Sequence, residues 1–256
     1  MDGMKRMREA IRFFGLVFAL VAFGRGAEAA EIKMIASNAV KETYLQLIPQ
    51  FEKASGHSVK VDWVGTDDVV RRIGGGEVAD VVIAPSFTVD ALIKDGLLAP
   101  GSRVDVAKSI IGVAVRPGTP RPDLSSGEGL KKSLLSAKSI IISGGPSGTY
   151  MAGWFEKAGI ADAIKAKTKR LGPGQSAGEA VARGEGDIGF TQVSELLAVK
   201  GIDYRGPLPK DVQQVTTFSS GLHRSAPQAE AARALIRFVT APVAVPVLKK
   251  TGLEPG

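Results

Sequence analysis

Short apolar strands alternate with amphipathic helices along the chain from residue 31 to its end. The segment Glu31–Ser37 has the apolar content of a buried strand. It is followed by a helical stripe in which Tyr44, Leu47, Ile48 and Phe51 recur at spacings of three and four. Because this switch from strand to helix repeats, the chain is predicted to adopt an α/β fold, with parallel strands and helices on both faces of the sheet.

The apolar periodicity and the glycines that end helices define the remaining elements. Further strands are predicted at 57–65, 80–84, 109–115, 139–143, 169–171, 187–191, 202–204 and 212–219. Further helices are predicted at 66–73, 86–95, 127–137, 148–158, 177–183, a short one from 194, and at 227–239 and 243–251. In such sheets a ligand binds beyond the carboxyl ends of the strands, where the following helices begin.

The first 29 residues have the three-part layout of a secretory signal peptide. A basic start is followed by an apolar run of eleven residues, 13–23, and by the small-residue cleavage pattern Ala27-Glu28-Ala29. The apolar run is shorter than the roughly 20 residues that a membrane-spanning helix needs. Residues 1–29 are therefore predicted to direct export, and the mature chain is expected in the periplasm as a soluble protein.

Composition excludes several classes of site. The 256 residues contain no cysteine and only two histidines, His57 and His223. This excludes a disulfide scaffold, a cysteine-based metal centre and a thiol nucleophile, and it argues against a multi-histidine metal site. The formal charge is +7, but the one basic cluster, at 165–170, contains no aromatic residue. We therefore predict no nucleic-acid partner, no metal and no other cofactor.

Small hydroxyl and amide residues stand at six junctions where a predicted strand leads into a helix. Each can cap its helix by accepting a backbone N–H. Their repetition predicts that several helix N-termini, with unpaired N–H groups and a partial positive charge, meet at one anion-binding site. The candidate ligand-binding residues are Ser37, Asn38, Thr66, Ser86, Ser147, Gly148, Thr149, Gln175, Ser176, Gln192 and Ser194.

Two other patterns suggest catalysis. Residues 174–178 match the G-x-S-x-G nucleophile elbow of serine hydrolases, and His223 follows later in the chain. The predicted strand before that motif is short and charged, which disfavours an elbow. The pair Asp67-Asp68 could carry acid–base chemistry, but two acids in a helix first turn are more often partners of the helix dipole.

Taken together, these segments resemble the periplasmic molybdate-binding proteins of ABC importers and the wider group of extracellular solute-binding proteins. The resemblance covers nearly the whole chain after residue 30. It rests on the motifs IASNAV (35–40), GTDDVVRRIGGGEVADVVIAPS (65–86), PSGTYMAGWFEKAGI (146–160), GEAVARGEGDIGFTQVSEL (178–196) and ALIRFVTAPVAVPVLKKTGLEP (234–255).

The resemblance implies two α/β lobes joined by two crossing strands, with the ligand in the cleft between them. It places one lobe at 30–110 plus 215–256 and the other at 111–214. It further implies a monomer that delivers a small anion to an ABC permease in the inner membrane. The binding residues of the family are only partly present here. Thr66 keeps a hydroxyl and Ser147 lies at or near a contact. Ala39 falls near the position of the first binding serine, and Gln192 replaces a tyrosine.

This altered donor set leaves molybdate-like oxyanions and organic carboxylates as equal candidates for the ligand. The same group of proteins includes aconitate isomerase, so the resemblance also admits an enzyme acting on a tricarboxylate. Such an enzyme needs a base near an acidic C–H bond. The sequence offers Asp67, Asp68 and Glu195 for this role without distinguishing among them.

Overall fold

The computed structural model describes residues 29–172 and 174–256. The predicted signal peptide lies outside the described residues except for Ala29. In the described part of the chain, ten strands join into one connected sheet. They are β1 (Glu31–Ser37), β2 (Ser58–Val64), β3 (Val81–Pro85), β4 (Val104–Val115), β5 (Ile140–Ile142), β6 (Thr168–Arg170), β7 (Ile188–Gln192), β8 (Asp203–Pro207), β9 (Val215–Leu222) and β10 (Glu254–Pro255).

Ten α-helices connect these strands within the same described residues. They are α1 (Lys41–Ser55), α2 (Thr66–Gly74), α3 (Ser86–Lys94), α4 (Gly127–Ser136), α5 (Pro146–Lys157), α6 (Ala161–Ile164), α7 (Ala177–Ala182), α8 (Val193–Leu197), α9 (Ala229–Val239) and α10 (Val245–Lys250). Asn38–Val40 forms a short 3-10 turn between β1 and α1. No single helix in this part of the chain is long and apolar enough to cross a membrane; α9 and the segment 242–250 reach that length only as a pair bent by 57°.

The strands follow the order β2-β1-β3-β9-β4-β7-β5-β6, and both β8 and β10 pair with β4. Strands β1, β2 and β3 are parallel, as are β5, β6 and β7. The prediction of parallel sheets is therefore right for these two groups. It is wrong at the centre, where β9 is antiparallel to β3 and β4 is antiparallel to β7, β8 and β9. Apolar periodicity reports burial but not strand direction, so it could not reveal these two returning strands.

Strand β4 links the two groups because its pairing partner changes along its length. Its residues up to Ile110 pair with β9, and those from Ile111 onward pair with β7. Each group buries a separate apolar cluster, one around Ile35 and Leu92 and the other around Phe190. The molecule is thus a two-lobed α/β protein, and its predicted fold class is confirmed. The exact lobe boundaries remain a prediction.

Helix α5 approaches the end of β5 so closely that it needs a glycine in its first turn. The amide nitrogen of Gly148 donates to Ser143 Oγ at 3.1 Å. A Cβ added to Gly148 would lie 1.7 Å from the carbonyl oxygen of Ser143, whereas one added to Gly153 in the same helix would meet nothing within 4 Å. The conformation of this junction therefore depends on the absence of a side chain at Gly148.

We predict that Gly148→Ala lowers the free energy of unfolding by about 3 kcal/mol or more, because the backbone must move to relieve the overlap. Gly153→Ala is the matched control and should raise stability by up to about 1 kcal/mol, since alanine is the better helix former. Urea unfolding followed by circular dichroism measures both. Equal stability of the two variants would contradict the close approach.

Candidate functional site

A cavity of about 60 Å³ lies where the carboxyl ends of strands from the two lobes face each other. Five of the six predicted strand–helix junctions contribute to its wall. The lining residues are Ser37, Asn38, Ala39, Val64, Gly65, Thr66, Asp67, Ser143, Gly144, Gly145, Pro146, Ser147, Gly172, Gly174, Gln175, Gln192, Glu195 and Phe218. Every charged group in this wall is a carboxyl, and the other polar side chains are hydroxyls and amides.

Six predicted site residues line this cavity. They are Ser37, Asn38, Thr66, Ser147, Gln175 and Gln192. Sequence reasoning missed Ser143, although its place at the end of a predicted strand was a usable signal. It also missed Phe218, which reaches the cavity from β9 and belongs to no strand–helix junction.

The other five predicted residues lie outside the cavity wall. Ser86 begins α3, and its neighbour Phe87 lines an adjoining groove instead. Thr149 lies in the same groove, where its hydroxyl accepts a hydrogen bond from Arg170 at 2.6 Å. Gly148 allows α5 to lie close to the end of β5, as described above.

Ser176 and Ser194 have partners within the fold. Ser176 caps α7 by accepting the backbone N–H of Glu179 at 3.3 Å. The buried hydroxyl of Ser194 donates to the carbonyl oxygen of Ala39 at 2.7 Å and so ties α8 to the turn after β1. The N-cap interpretation therefore holds at Ser176, whereas Ser194 acts as a link between the lobes.

Two helices begin at the cavity directly after a glycine, which has no side chain to accept an N–H: α2 follows Gly65 and α5 follows Gly145. In the first turn of α5, Pro146 has no N–H and Ser143 Oγ already accepts the Gly148 N–H, which leaves the N–H of Ser147. Unpaired N–H groups and the helix dipole give such ends a partial positive charge. An anion in the cavity would be stabilised by both ends without a formal countercharge.

The hydroxyls of Ser143 and Ser147 lie 2.8 Å apart at the start of α5. Ser143 Oγ already accepts the amide N–H of Gly148. When Ser143 donates its own hydrogen to Ser147, the hydrogen of Ser147 is left for a ligand. The pair therefore offers the cavity one oriented neutral donor.

Gln192 presents an amide with one unpaired atom. Its side chain is 3% exposed, its Nε2 donates to Thr216 Oγ1 at 3.3 Å, and its Oε1 has no hydrogen-bond partner. In the opposite amide orientation, Oε1 accepts from Thr216 and Nε2 becomes the unpaired group. A buried unpaired amide at the wall of a cavity indicates a contact with a ligand or a bound water.

The three carboxyl groups singled out in the sequence have different environments. Asp68 pairs with Arg71 at 2.7 Å, and Asp67 is exposed at the cavity rim. Glu195 also lines the cavity and accepts a hydrogen bond from the Thr191 hydroxyl. Burial raises the pKa of Glu195 above its ordinary value, against the smaller effects of the Thr191 hydroxyl and the Gln192 backbone N–H. Glu195 is thus the best placed of the three to hold a proton in the cavity.

Two wider grooves adjoin the cavity and bring cationic side chains to its surroundings. One groove, of about 470 Å³, shares Asn38, Gln175 and Glu195 with the cavity. The other groove, of about 330 Å³, shares Thr66 and Asp67. Their cationic residues are Lys41, Arg183 and Lys200 in the first groove and Arg170 in the second.

The serine hydrolase interpretation of residues 174–178 is wrong. Ser176 caps a helix in the second lobe, whereas His223 bridges to Leu98 and hydrogen-bonds the carbonyl oxygen of Asp80 through its backbone in the first lobe. In the described residues, no group of three or more histidine, aspartate or glutamate side chains could hold a metal ion.

Comparisons with known proteins agree with this architecture. The family model described as bacterial extracellular solute-binding protein matches residues 32–254. An aconitate isomerase from Pseudomonas sp is 34% identical over 232 residues, covering 88% of this chain and 87% of the relative. The molybdate-binding protein ModA of Azotobacter vinelandii is 26% identical over 254 residues, covering 93% of this chain and 98% of the relative. A solved structure of the A. vinelandii periplasmic molybdate-binding protein superposes with a TM-score of 0.74 at 22% identity, covering 88% of this chain and 99% of the other.

Proposed function

The chain belongs to the bacterial extracellular solute-binding proteins, and we propose that it captures a small anion in the cavity between its lobes and presents it to an ABC permease of the inner membrane. The observation that carries this proposal is the convergence of the N-termini of α2 and α5 with hydroxyl and amide side chains on one cavity. The predicted signal peptide supports a periplasmic location.

Neutral donors suit capture followed by release. A hydrogen bond to a charged acceptor contributes about 1.5–3 kcal/mol, so several give tight binding that remains reversible. Residues of both lobes line the cavity, so a bound anion stabilises the closed arrangement by its differential affinity for it. The permease can then distinguish the closed, anion-bound protein from the empty protein by its shape.

The size of the cavity bears on the ligand. Its volume of about 60 Å³ corresponds to roughly four to six water-sized spheres, which suits a tetrahedral oxyanion. A tricarboxylate would extend into the adjoining grooves, where Arg170 and Lys41 could meet its outer carboxylates.

A thermal-shift screen over molybdate, tungstate, sulfate, phosphate and di- and tricarboxylates distinguishes these classes of ligand. A ligand at 100 times its dissociation constant adds about 2.7 kcal/mol to stability.

We predict that Thr66→Ala and Gln192→Ala each raise the Kd of the anion identified in that screen by about 10- to 150-fold, the equivalent of one lost charge-assisted hydrogen bond. Isothermal titration calorimetry gives the Kd, and thermal unfolding checks that the fold is retained. Ser86→Ala is the matched control, because Ser86 stands at an equivalent junction outside the cavity wall. Unchanged affinity in both test variants would show that the site is misplaced.

Glu195 favours a second candidate, an isomerase acting on aconitate. It is a carboxyl with a raised pKa in the cavity wall, and the relative named aconitate isomerase covers most of the chain. The base would remove a proton from the methylene carbon beside the double bond of cis-aconitate. The double bond then shifts, and a proton returned at the other end of the allylic system gives the trans isomer. A carboxyl whose pKa is raised above its ordinary value suits both transfers better than an ordinary one.

If the protein is an isomerase, it converts cis-aconitate to trans-aconitate, and Glu195→Gln lowers kcat by 100-fold or more through loss of the proton carrier. Proton NMR resolves the two isomers. The control is Glu179→Gln, which changes a carboxyl at the same position in the first turn of α7, outside the cavity wall. The absence of conversion by the unaltered protein eliminates the isomerase and leaves the binding function in place.

A further inference from the structure

Glu195 places a carboxyl group in the wall of a cavity that is proposed to bind an anion. Its position is explained in part by its role at the start of α8. Gln192 is the N-cap of α8, and Glu195 is the third residue of that helix. The backbone N–H of Gln192 interacts with the Glu195 carboxyl, and the Thr191 hydroxyl donates to Oε2. The Gln192 side chain makes no reciprocal cap, so the Glu195 carboxyl makes one half of a capping box, which helps to stabilise the start of the helix. It does not explain why the carboxyl also lines the cavity.

No cation neutralises Glu195 in the described part of the chain. Helix α8 packs against β4, β7, β8, α7 and the turn Asn38–Val40. The ionisable side chains on those elements or beside Glu195 in the cavity and its groove are Lys41, Glu42, Asp67, Asp105, Lys108, Glu179, Arg183, Lys200, Asp203, Tyr204 and Arg205. None forms an ion pair with Glu195, and Arg183 is engaged by Glu179 and Glu185.

An ionised Glu195 would therefore repel the anion that the surrounding donors attract. A second negative charge nearby favours the protonated form of a carboxyl. Burial already acts in the same direction, since it raises the pKa of Glu195. Once protonated, the carboxyl gains an O–H donor and joins the other neutral groups in the wall.

We infer that Glu195 takes up a proton as an anion enters the cavity, so that the site captures the anion and the proton together. The inference rests on the proposed anion-binding function and deepens it. A site built of neutral donors alone would bind a fully ionised anion with the same affinity at every pH. Proton uptake by Glu195 makes the affinity depend on pH even where the anion itself does not titrate. Affinity rises as pH falls, by up to about tenfold per pH unit for one linked proton.

The test is calorimetric titration at pH 8 with molybdate and with cis-aconitate, in buffers that differ in ionisation enthalpy. Both probes are fully ionised at this pH, so a proton taken up must go to the protein. The slope of the observed enthalpy against the ionisation enthalpy of the buffer gives the number of protons. We expect net proton uptake, of at most about one proton per anion, for the unaltered protein.

Glu195→Gln should bind the same probe with no proton uptake and with a Kd independent of pH between 7 and 9, because the amide donates at every pH. Glu179→Gln alters a carboxyl at the equivalent helix position and should keep the uptake. Thr191→Val provides a second variant that leaves Glu195 in place. It removes the hydroxyl that favours the ionised carboxyl, so proton uptake should move to higher pH.

Uptake that is present in the unaltered protein and in Glu179→Gln but absent in Glu195→Gln supports the inference. Anion binding without proton uptake, or uptake that persists in Glu195→Gln, overturns it and leaves the proposed function intact. Failure of every anion in the screen to bind overturns the proposed function, and the inference falls with it.

Discussion

The divided pairing of β4 is the constraint on which the rest of the molecule depends. One uninterrupted strand hydrogen-bonds to β9 up to Ile110 and to β7 from Ile111 onward, so the two lobes share a continuous backbone segment. This arrangement turns the carboxyl ends of β1 and β2 toward those of β5 and β7. The result is a site that neither lobe could form alone. The hydrogen bond from Ser194 to the carbonyl of Ala39 adds a direct link across the same boundary.

The facing strand ends determine the electrostatics of the cavity. Helices α2 and α5 begin there directly after glycines, and Gly148 lets α5 lie directly against the end of β5. Lysine and arginine side chains line the adjoining grooves but not the cavity wall. Attraction at the centre is therefore local and directional, since it comes from N–H and O–H groups, while the longer-range attraction of the grooves weakens with salt.

The sequence predicted the order of the main strands and helices closely, because each pairs a clear apolar period with a glycine stop or a polar start. Of the six strand–helix junctions that it predicted, five meet at the cavity. It could not separate Ser86 from Thr66, since both follow a strand and begin a helix. The sequence could not predict that Phe218 lines the cavity, because β9 comes from a distant part of the chain. The choice among Asp67, Asp68 and Glu195 likewise needed the ion pair and the burial that only the fold supplies.

Glu195 shows how one group can serve both the fold and the site. In the first turn of α8, its carboxyl is held in position by the Thr191 hydroxyl and the backbone N–H of Gln192. That support favours the ionised carboxyl, whereas burial and an incoming anion favour the protonated one. Because these influences oppose each other, occupation of the cavity can decide the balance. Asp68, in contrast, forms an ion pair with Arg71 at 2.7 Å. The lack of such a partner among the described residues is therefore what allows Glu195 to respond to the ligand.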